Sequence, residues 1–515
     1  MLQSRVPIYL LSIGFHIPDV VGDLGPYFRS ISYEHAGHGK WPQQFYHSSD
    51  AIGPVLNIQR HADECDSGQY TFLSLLGSEV SSAGPMILDE RGNLVWTSPY
   101  GRNWGLDVQM LDGEPYLTFC AWPGPGTHVT CYMLDSEYEE AFVIRPQNGW
   151  GADGTEFQIT PQRTAVLTTS MFAPYDLSPV NGPRYGWIRD VGFQEIDLET
   201  GALLFEWRWS DHWNITDVLV EFPRGTEGSR EAPWDPFHIN SVHKDTAGNY
   251  LVSARHTSTV GYIDGRSGEF IWTLGGKRNM FRDLSNGAAT SISMQHHARF
   301  LKEYSTLTLF NNGVSAGGPD YRSKGMVIDL DVQAMTAKVL QEYHSPHRIG
   351  SESRGSMQVL DNNNVLLGYG VNAGWSEFST SGDLLCDAHF GPESRFGAED
   401  VLSYRVLKRN WKGRPKTAPD GVQRGTGIFV SWNGATEVVT WALLAANADI
   451  RNYTPLVSVP KEGFETRIPV PVNLTTSSVR AAALDGQGNV LGITRVLDLF
   501  RKGEHAIQPP LVVQD

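Results

Sequence analysis

The sequence predicts an all-β chain: a six-bladed β-propeller followed by a C-terminal fibronectin-like β-sandwich. One hairpin pattern occurs six times, and self-similarity at a fixed period marks repeat architectures. Its copies lie about 45–70 residues apart, room for four short strands each. The chain also carries 53 glycines and 29 prolines for tight turns, with 11% aromatic residues to fill cores.

The elements follow in chain order. Residues 1–60 form an N-terminal segment. Within it Arg5 precedes an apolar run over 6–15 that resembles a signal h-region, but no small-x-small cleavage site follows and a proline and a tyrosine interrupt it. A secretion signal and an ordinary N-terminus both remain open. Residues 61–404 are assigned to the propeller. The repeated hairpin is an apolar strand, an Asp, a polar turn and a second apolar strand, often with Trp. It is clearest over 87–96, 196–207 and 263–272, and weaker copies begin at Met133, Ile328 and Ser381. Between copies lie further strand pairs ending in small residues, as over 249–255 and 364–370. Radial repetition also removes the exposed edges of a large open sheet. After residue 404 the texture changes. A basic, proline-containing linker over 411–421 leads to five strand-like segments, which place the sandwich at 425–500.

Composition excludes several functions. The net charge of −16 and pI near 5.4 repel nucleic-acid phosphates, so no nucleic-acid partner is expected. No apolar run reaches the roughly 20 residues of a membrane helix. No P-loop, Rossmann glycine pattern or Gly-x-Ser-x-Gly elbow occurs. No HxH, HxxxH or CxxC spacing occurs either, so no metal and no cofactor are expected. Of the four cysteines, Cys120 and Cys131 flank a turn-rich link and face each other if it is a hairpin. Cys65 and Cys386 meet if the propeller closes, and buried free thiols are the alternative for both pairs. N-glycosylation triplets occur at Asn214, Asn452 and Asn473.

Propeller loops leading into the innermost strands gather at one mouth of the central channel. Five polar clusters sit at that phase of the repeat: 104–107, 153–156, 235–240, 295–299 and 353–356. They nominate His238, His296 and Arg354 as catalytic groups, to which the resemblance given below adds Arg255. Asn240, His297, Asp107, Glu156, Trp104, Phe237 and Trp375 are nominated as substrate contacts. Adjacent strand residues face opposite ways, so His297 is expected to point away from His296.

The motifs over 238–242, 251–255, 262–268 and 272–277, with Gln295, His296 and the stretch 431–437, together resemble the fungal arylsulfotransferase-like family from about residue 60 to 500. The resemblance implies that His238 and His296 match the sulfate-binding histidines of bacterial members, with Asn240 and Arg255 nearby. Those enzymes move a sulfuryl group between phenols without a nucleotide, through a transiently sulfated histidine in a later blade. The corresponding stretch here, 353–375, contains no histidine; His344 and His347 lie upstream. Loss of the nucleophile with retention of the donors makes a cofactor-independent hetero-Diels–Alderase the leading expectation. Some fungal relatives have that role, joining a quinone methide to a terpene alkene by holding both in reacting geometry. The partners expected are therefore aromatic or terpenoid small molecules. The alternatives are a nucleotide-independent aryl sulfotransferase using His344 or His347, and a secreted binding propeller without catalysis.

Overall fold

A computed structural model describes residues 23–499 apart from 224, 303, 315–321, 448–453, 472, 473 and 475. The apolar run 6–15 and the triplets at Asn452 and Asn473 lie outside the described residues. The chain is all-β. Among the described residues, no helix is long and apolar enough to cross a membrane.

Among the described residues, six sheets built on four antiparallel strands follow one another along the chain, two of them with a parallel strand added at an edge. Their first strands are Leu402–Arg409, Arg102–Leu111, Gly151–Ile159, Ile239–Lys244, His296–Lys302 and Ser356–Val359. The hairpin read from the sequence is the link between third and fourth strands in every sheet. Its Asp is there for a local reason. Oδ1 of Asp89, Asp135, Asp197, Asp264 and Asp331 each accepts two backbone N–H groups from the turn that follows, closing an Asx turn. In the sixth sheet Ser379 takes that place, accepting from the backbone N–H of Asp383.

One strand overturns the domain boundary expected at residue 404. Leu402–Arg409 is a single strand that pairs with Tyr70–Leu76, so the C-terminal end of this region completes the sheet that its N-terminal end begins. Asn57–Arg60, assigned to the N-terminal segment, adds a strand to the sixth sheet. Both cysteine pairs form disulfides. Cys120–Cys131 crosses between paired strands, and Cys65–Cys386 spans 321 residues of sequence.

A dry core fills the space between each sheet and the next. Phe72, Trp96, Leu106 and Phe119 join the first two, and Phe193, Trp207, Ile239 and Tyr250 join the third and fourth. Leu73, Met86, Leu366 and Trp375 pack the sixth sheet against the first. Beyond residue 420, two further antiparallel sheets enclose a core that includes Ile428, Trp441, Leu443 and Ala481. This unit is tied back through Asn433, whose Oδ1 accepts from Thr97 N–H (3.1 Å) and whose Nδ2 donates to Thr97 O (2.9 Å).

Candidate active site

The first strands position the site by breaking their own ladders. In five of the six, register shifts near the start of the strand, at Ser403/Val406, Trp104/Asp107, Ala152/Phe157, Ile239/Ser241 and His296/Arg299. A bulge re-aims the side chains around it. At Gly154 the backbone has φ +82°, which side chains rarely adopt, and a Cβ there would come within 3.1 Å of the Trp104 ring, so glycine is favoured. Two arginines exploit the shifts. Arg405 Nη1 and Nη2 each donate to a different oxygen of Glu156 at 3.0 Å, and Arg299 Nη2 donates to Glu156 Oε2 at 2.6 Å. Glu156 and Arg405 are buried inside the bundle of first strands, and Arg299 is part-buried at its edge. Burial pushes the Glu156 carboxyl up, but Arg299 and Arg405 outweigh it and hold it down at about 2.

At the starts of the first strands a second cluster gathers around His238. This residue has φ +56° and is 28% exposed in its side chain. Its Nδ1 lies 2.6 Å from Asp235 Oδ2, which fixes the proton on Nδ1 and leaves Nε2 as the basic nitrogen. The His238 backbone carbonyl accepts from Arg255 N–H (2.9 Å), and the His256 ring lies 5.0 Å from the His238 ring. His256 Nε2 accepts from Arg255 Nη1 (2.9 Å), so its Nδ1 donates to Asp235 O (2.8 Å). Burial, then the nearby His238 and Arg255 charges, bring His256 down to about 4, so it is neutral at pH 7. Burial pushes Asp235 up, but His238, His256 and Arg189 hold it at about 2. Arg255 also donates from Nη2 to Glu352 O (3.0 Å), while its buried Nε has no protein partner. Arg354 ion-pairs with Glu399 at 2.7 Å.

Several nominated residues sit elsewhere. His296 is 2% exposed with both nitrogens engaged: Nε2 accepts from Arg354 N–H (3.1 Å) and Nδ1 donates to Asn312 Oδ1 (2.7 Å). It therefore orders the loop that carries Arg354 and has no proton left to offer a substrate. Burial, followed by the Arg255 charge, holds it well below the usual histidine range. Asn240 is buried, with Nδ2 donating to Gln295 O (2.6 Å). Phe237 is wholly buried against Trp209, and Trp375 stacks on Phe390 at 5.9 Å; both are core residues rather than substrate contacts. Trp104 covers Gly154.

Asp107 and His297 line a different cavity, of about 410 Å³, further along the first strands beyond Glu156. Asp107 takes two hydrogen bonds from Arg409 (2.7 and 3.1 Å), and His297 Nδ1 donates to Met357 O (2.9 Å). His297 and His296 thus face apart as expected, but this divides the nominated set between two places. His344 is exposed beside Glu342, and His347 Nε2 faces Asp387 at 2.7 Å. Asp235 and His256 went without a role in the sequence reading, although Asp235 stands three residues before His238 and His256 directly follows Arg255. Arg405 lay one residue past the expected boundary.

Coordinating atoms of Asp235, His238 and His256 lie within 4.8 Å of one another. The Arg255 guanidinium, already hydrogen-bonded to His256, supplies the positive charge a cation would bring there. The cluster thus combines a carboxylate-oriented imidazole, a neutral imidazole and two guanidinium groups. The family model for arylsulfotransferase (ASST) matches residues 107–391, and the chain belongs to that family. No curated protein matches it. Solved structures similar to it include a protein of unknown function from Bacteroides caccae, at 12% identity over 66% of this chain and 99% of that one (TM-score 0.39). Another is the periplasmic gluconolactonase of Pseudomonas aeruginosa, at 12% identity over 84% and 96% (TM-score 0.33). Likenesses this loose carry no statement about the site.

Proposed function

We propose that this chain is a nucleotide-independent sulfotransferase that moves a sulfuryl group from an aryl sulfate to a phenol. In this reading the six sheets are the blades of a propeller, the unit beyond residue 420 is a fibronectin-like sandwich, and the His238 cluster lies at the channel mouth. The observation that carries it is the Asp235–His238 pair with Arg255 on the adjoining His256 and Arg354 near enough to Arg255 for their charges to interact. The cycloaddition expectation rested on a missing nucleophile, and His238 itself fills that role. A mouth lined with imidazole, guanidinium and carboxylate groups also suits an organic anion better than a neutral terpene alkene.

Arg255 and Arg354 hold the sulfate oxygens. The His238 Nε2 lone pair attacks sulfur, and the aryl oxygen leaves with the S–O bonding pair as a phenolate, which water protonates. Asp235 stabilises the imidazole as positive charge develops on it. In the second half, an acceptor phenol that has lost its proton to water attacks sulfur, and the N–S pair returns to Nε2. The test is 4-nitrophenyl sulfate with excess phenol. Release of 4-nitrophenol, a sulfated His238 peptide by mass spectrometry, and loss of both in His238→Asn are expected. Absence of release, or release that persists in His238→Asn, overturns the reading.

A further inference from the structure

A second histidine cluster, apart from the His238 mouth, lies where the N-terminal segment joins the sixth sheet. His347, Asp387 and His389 bring coordinating atoms within 4.8 Å of one another. His389 ends the strand Leu384–His389 and is 0% exposed. Its Nδ1 is 2.9 Å from Glu34 Oε1, and its Nε2 is buried with no protein partner. Glu34 is itself held: Oε1 accepts from Asn57 and Gln59 (both 2.6 Å), and Oε2 accepts from Glu393 N–H (2.7 Å). That carboxylate fixes the proton on Nδ1 and leaves the Nε2 lone pair without a use inside the protein.

His347 also has a carboxylate near Nδ1, but its Nε2 is already in contact with Asp387, and an ion would have to enter between them. Its Nδ1 lies 3.4 Å from Glu393 Oε2 and its Nε2 2.7 Å from Asp387 Oδ2. Asp387 is buried, with Oδ1 accepting from Ser376 Oγ at 2.6 Å, so Oδ2 is the oxygen turned to the histidine. Two imidazoles, each with a carboxylate on Nδ1, thus surround one carboxylate oxygen. Carboxylates on the outer nitrogens are how metal-bound histidines are oriented and made more basic. A tetrahedral zinc with bonds of about 2.0–2.1 Å sets its ligand atoms about 3.3 Å apart, within the spread seen here. His347 is 21% exposed in its side chain, which gives an ion a way in.

We infer that His347 Nε2, Asp387 Oδ2 and His389 Nε2 bind a divalent transition-metal ion, leaving one position for water. Two neutral imidazoles and one carboxylate are a donor set that takes zinc or ferrous iron rather than calcium or magnesium. Through Glu34 the ion pins the short helix Ile31–Glu34 to the sixth sheet.

The full-length chain is stripped with a chelator, incubated with excess Zn²⁺, gel-filtered and assayed for zinc by mass spectrometry. About one zinc per chain is expected for the native protein, for His344→Ala and for His238→Asn. His347→Ala and Asp387→Asn, each checked for native circular dichroism, are expected to retain almost none. His347 lies near the surface, so its variant remains informative if Asp387→Asn fails to fold. Co²⁺ bound to the native protein is expected to show visible bands of a low-coordinate nitrogen–oxygen site. No retained zinc in the native protein, or equal retention in His347→Ala, overturns the inference. Loss in His238→Asn with retention in His347→Ala also overturns it and assigns the ion to the channel mouth. Because His238→Asn is read here by metal content alone, failure of sulfuryl transfer and failure of this site remain distinguishable.

Discussion

Two charged regions share the first strands and are opposites. Inside the bundle, Glu156 has both oxygens paired by Arg299 and Arg405; Glu156 and Arg405 are buried and Arg299 is part-buried. At the strand starts, Asp235 orients His238 from one side only, and Arg255 keeps a buried Nε with no protein partner. In the first region opposite charges answer one another, although Arg405 Nε also lacks a protein partner and Glu156 and Arg299 border the far cavity; it acts as a fastener. The second has unspent hydrogen-bonding capacity directed at something not part of the chain. Charge alone does not mark a site; a charge that the fold has left incompletely answered does.

The comparison breaks most readily at Glu156. Glu156→Gln leaves two buried guanidinium groups facing a neutral amide, and breaking a buried pair costs about 3–5 kcal/mol. Urea unfolding is expected to show a loss of that size. A loss under about 1 kcal/mol would mean that Glu156 is not a fastener and that the two regions are one.

At the other region the expected effect falls on rate. Asp235→Asn removes the charge that orients His238 and stabilises it as it becomes cationic, so 4-nitrophenol release is expected to fall by about 10²-fold or more. KM should change little, because Arg255 and Arg354 remain. A rise in KM with kcat intact would make Asp235 part of the binding surface instead.

Acid sharpens the contrast further. His256 at the mouth and His243 in the far cavity are both brought to about 4, chiefly by burial. An unfolded histidine titrates near 6.5. Between those values the unfolded chain binds protons that the native chain refuses, so this stability is complete above about pH 6.5 and is lost as pH falls toward 4. At pH 5 each group removes about 2 kcal/mol. His296 and His297, held well below the usual range by burial, act in the same direction. His347 is raised, mainly by its bond to Asp387, so its contribution is kept at low pH and lost as pH rises. His347 and Asp23, the latter raised to about 7 chiefly by burial, oppose the four histidines without offsetting them, and calorimetry is expected to show a lower Tm at pH 5 than at pH 7.5. A Tm that rises on acidification would mean that these imidazoles are charged in the native state.

What the sequence made legible follows from the range of the forces involved. The Asp turns are local, because a carboxylate and the N–H groups it accepts lie within four residues, and all six copies fall on the same hairpin. The pairing of Leu402–Arg409 with Tyr70–Leu76 joins strands more than 300 residues apart, and no local pattern encodes it. That is why the boundary fell at 404 and Arg405 was missed. The clusters stand near the starts of the first strands, but the direction of each side chain could not be read locally. Whether an imidazole faces an opening or a neighbouring loop depends on a bulge and on φ values such as +56° at His238 and +54° at His297. His296 looked like a donor because its type fits; only its two partners reveal that it is spent.

The smallest effect is expected at His344, one of the two histidines the sequence offered as a spare nucleophile. Its side chain is 56% exposed and lies 3.1 Å from Glu342, which Lys324 also neutralises at 2.6 Å. An exposed ion pair of this kind is worth about 0–1 kcal/mol. Among the described residues, no carboxylate holds its Nδ1 as Asp235 holds that of His238. His344→Ala is therefore expected to leave 4-nitrophenol release within about twofold of the native rate and unfolding within about 0.5 kcal/mol. If release instead collapses while His238→Asn remains active, the incompletely answered charge around His238 has been misread. The nucleophile would then lie on the loop side of the fifth sheet.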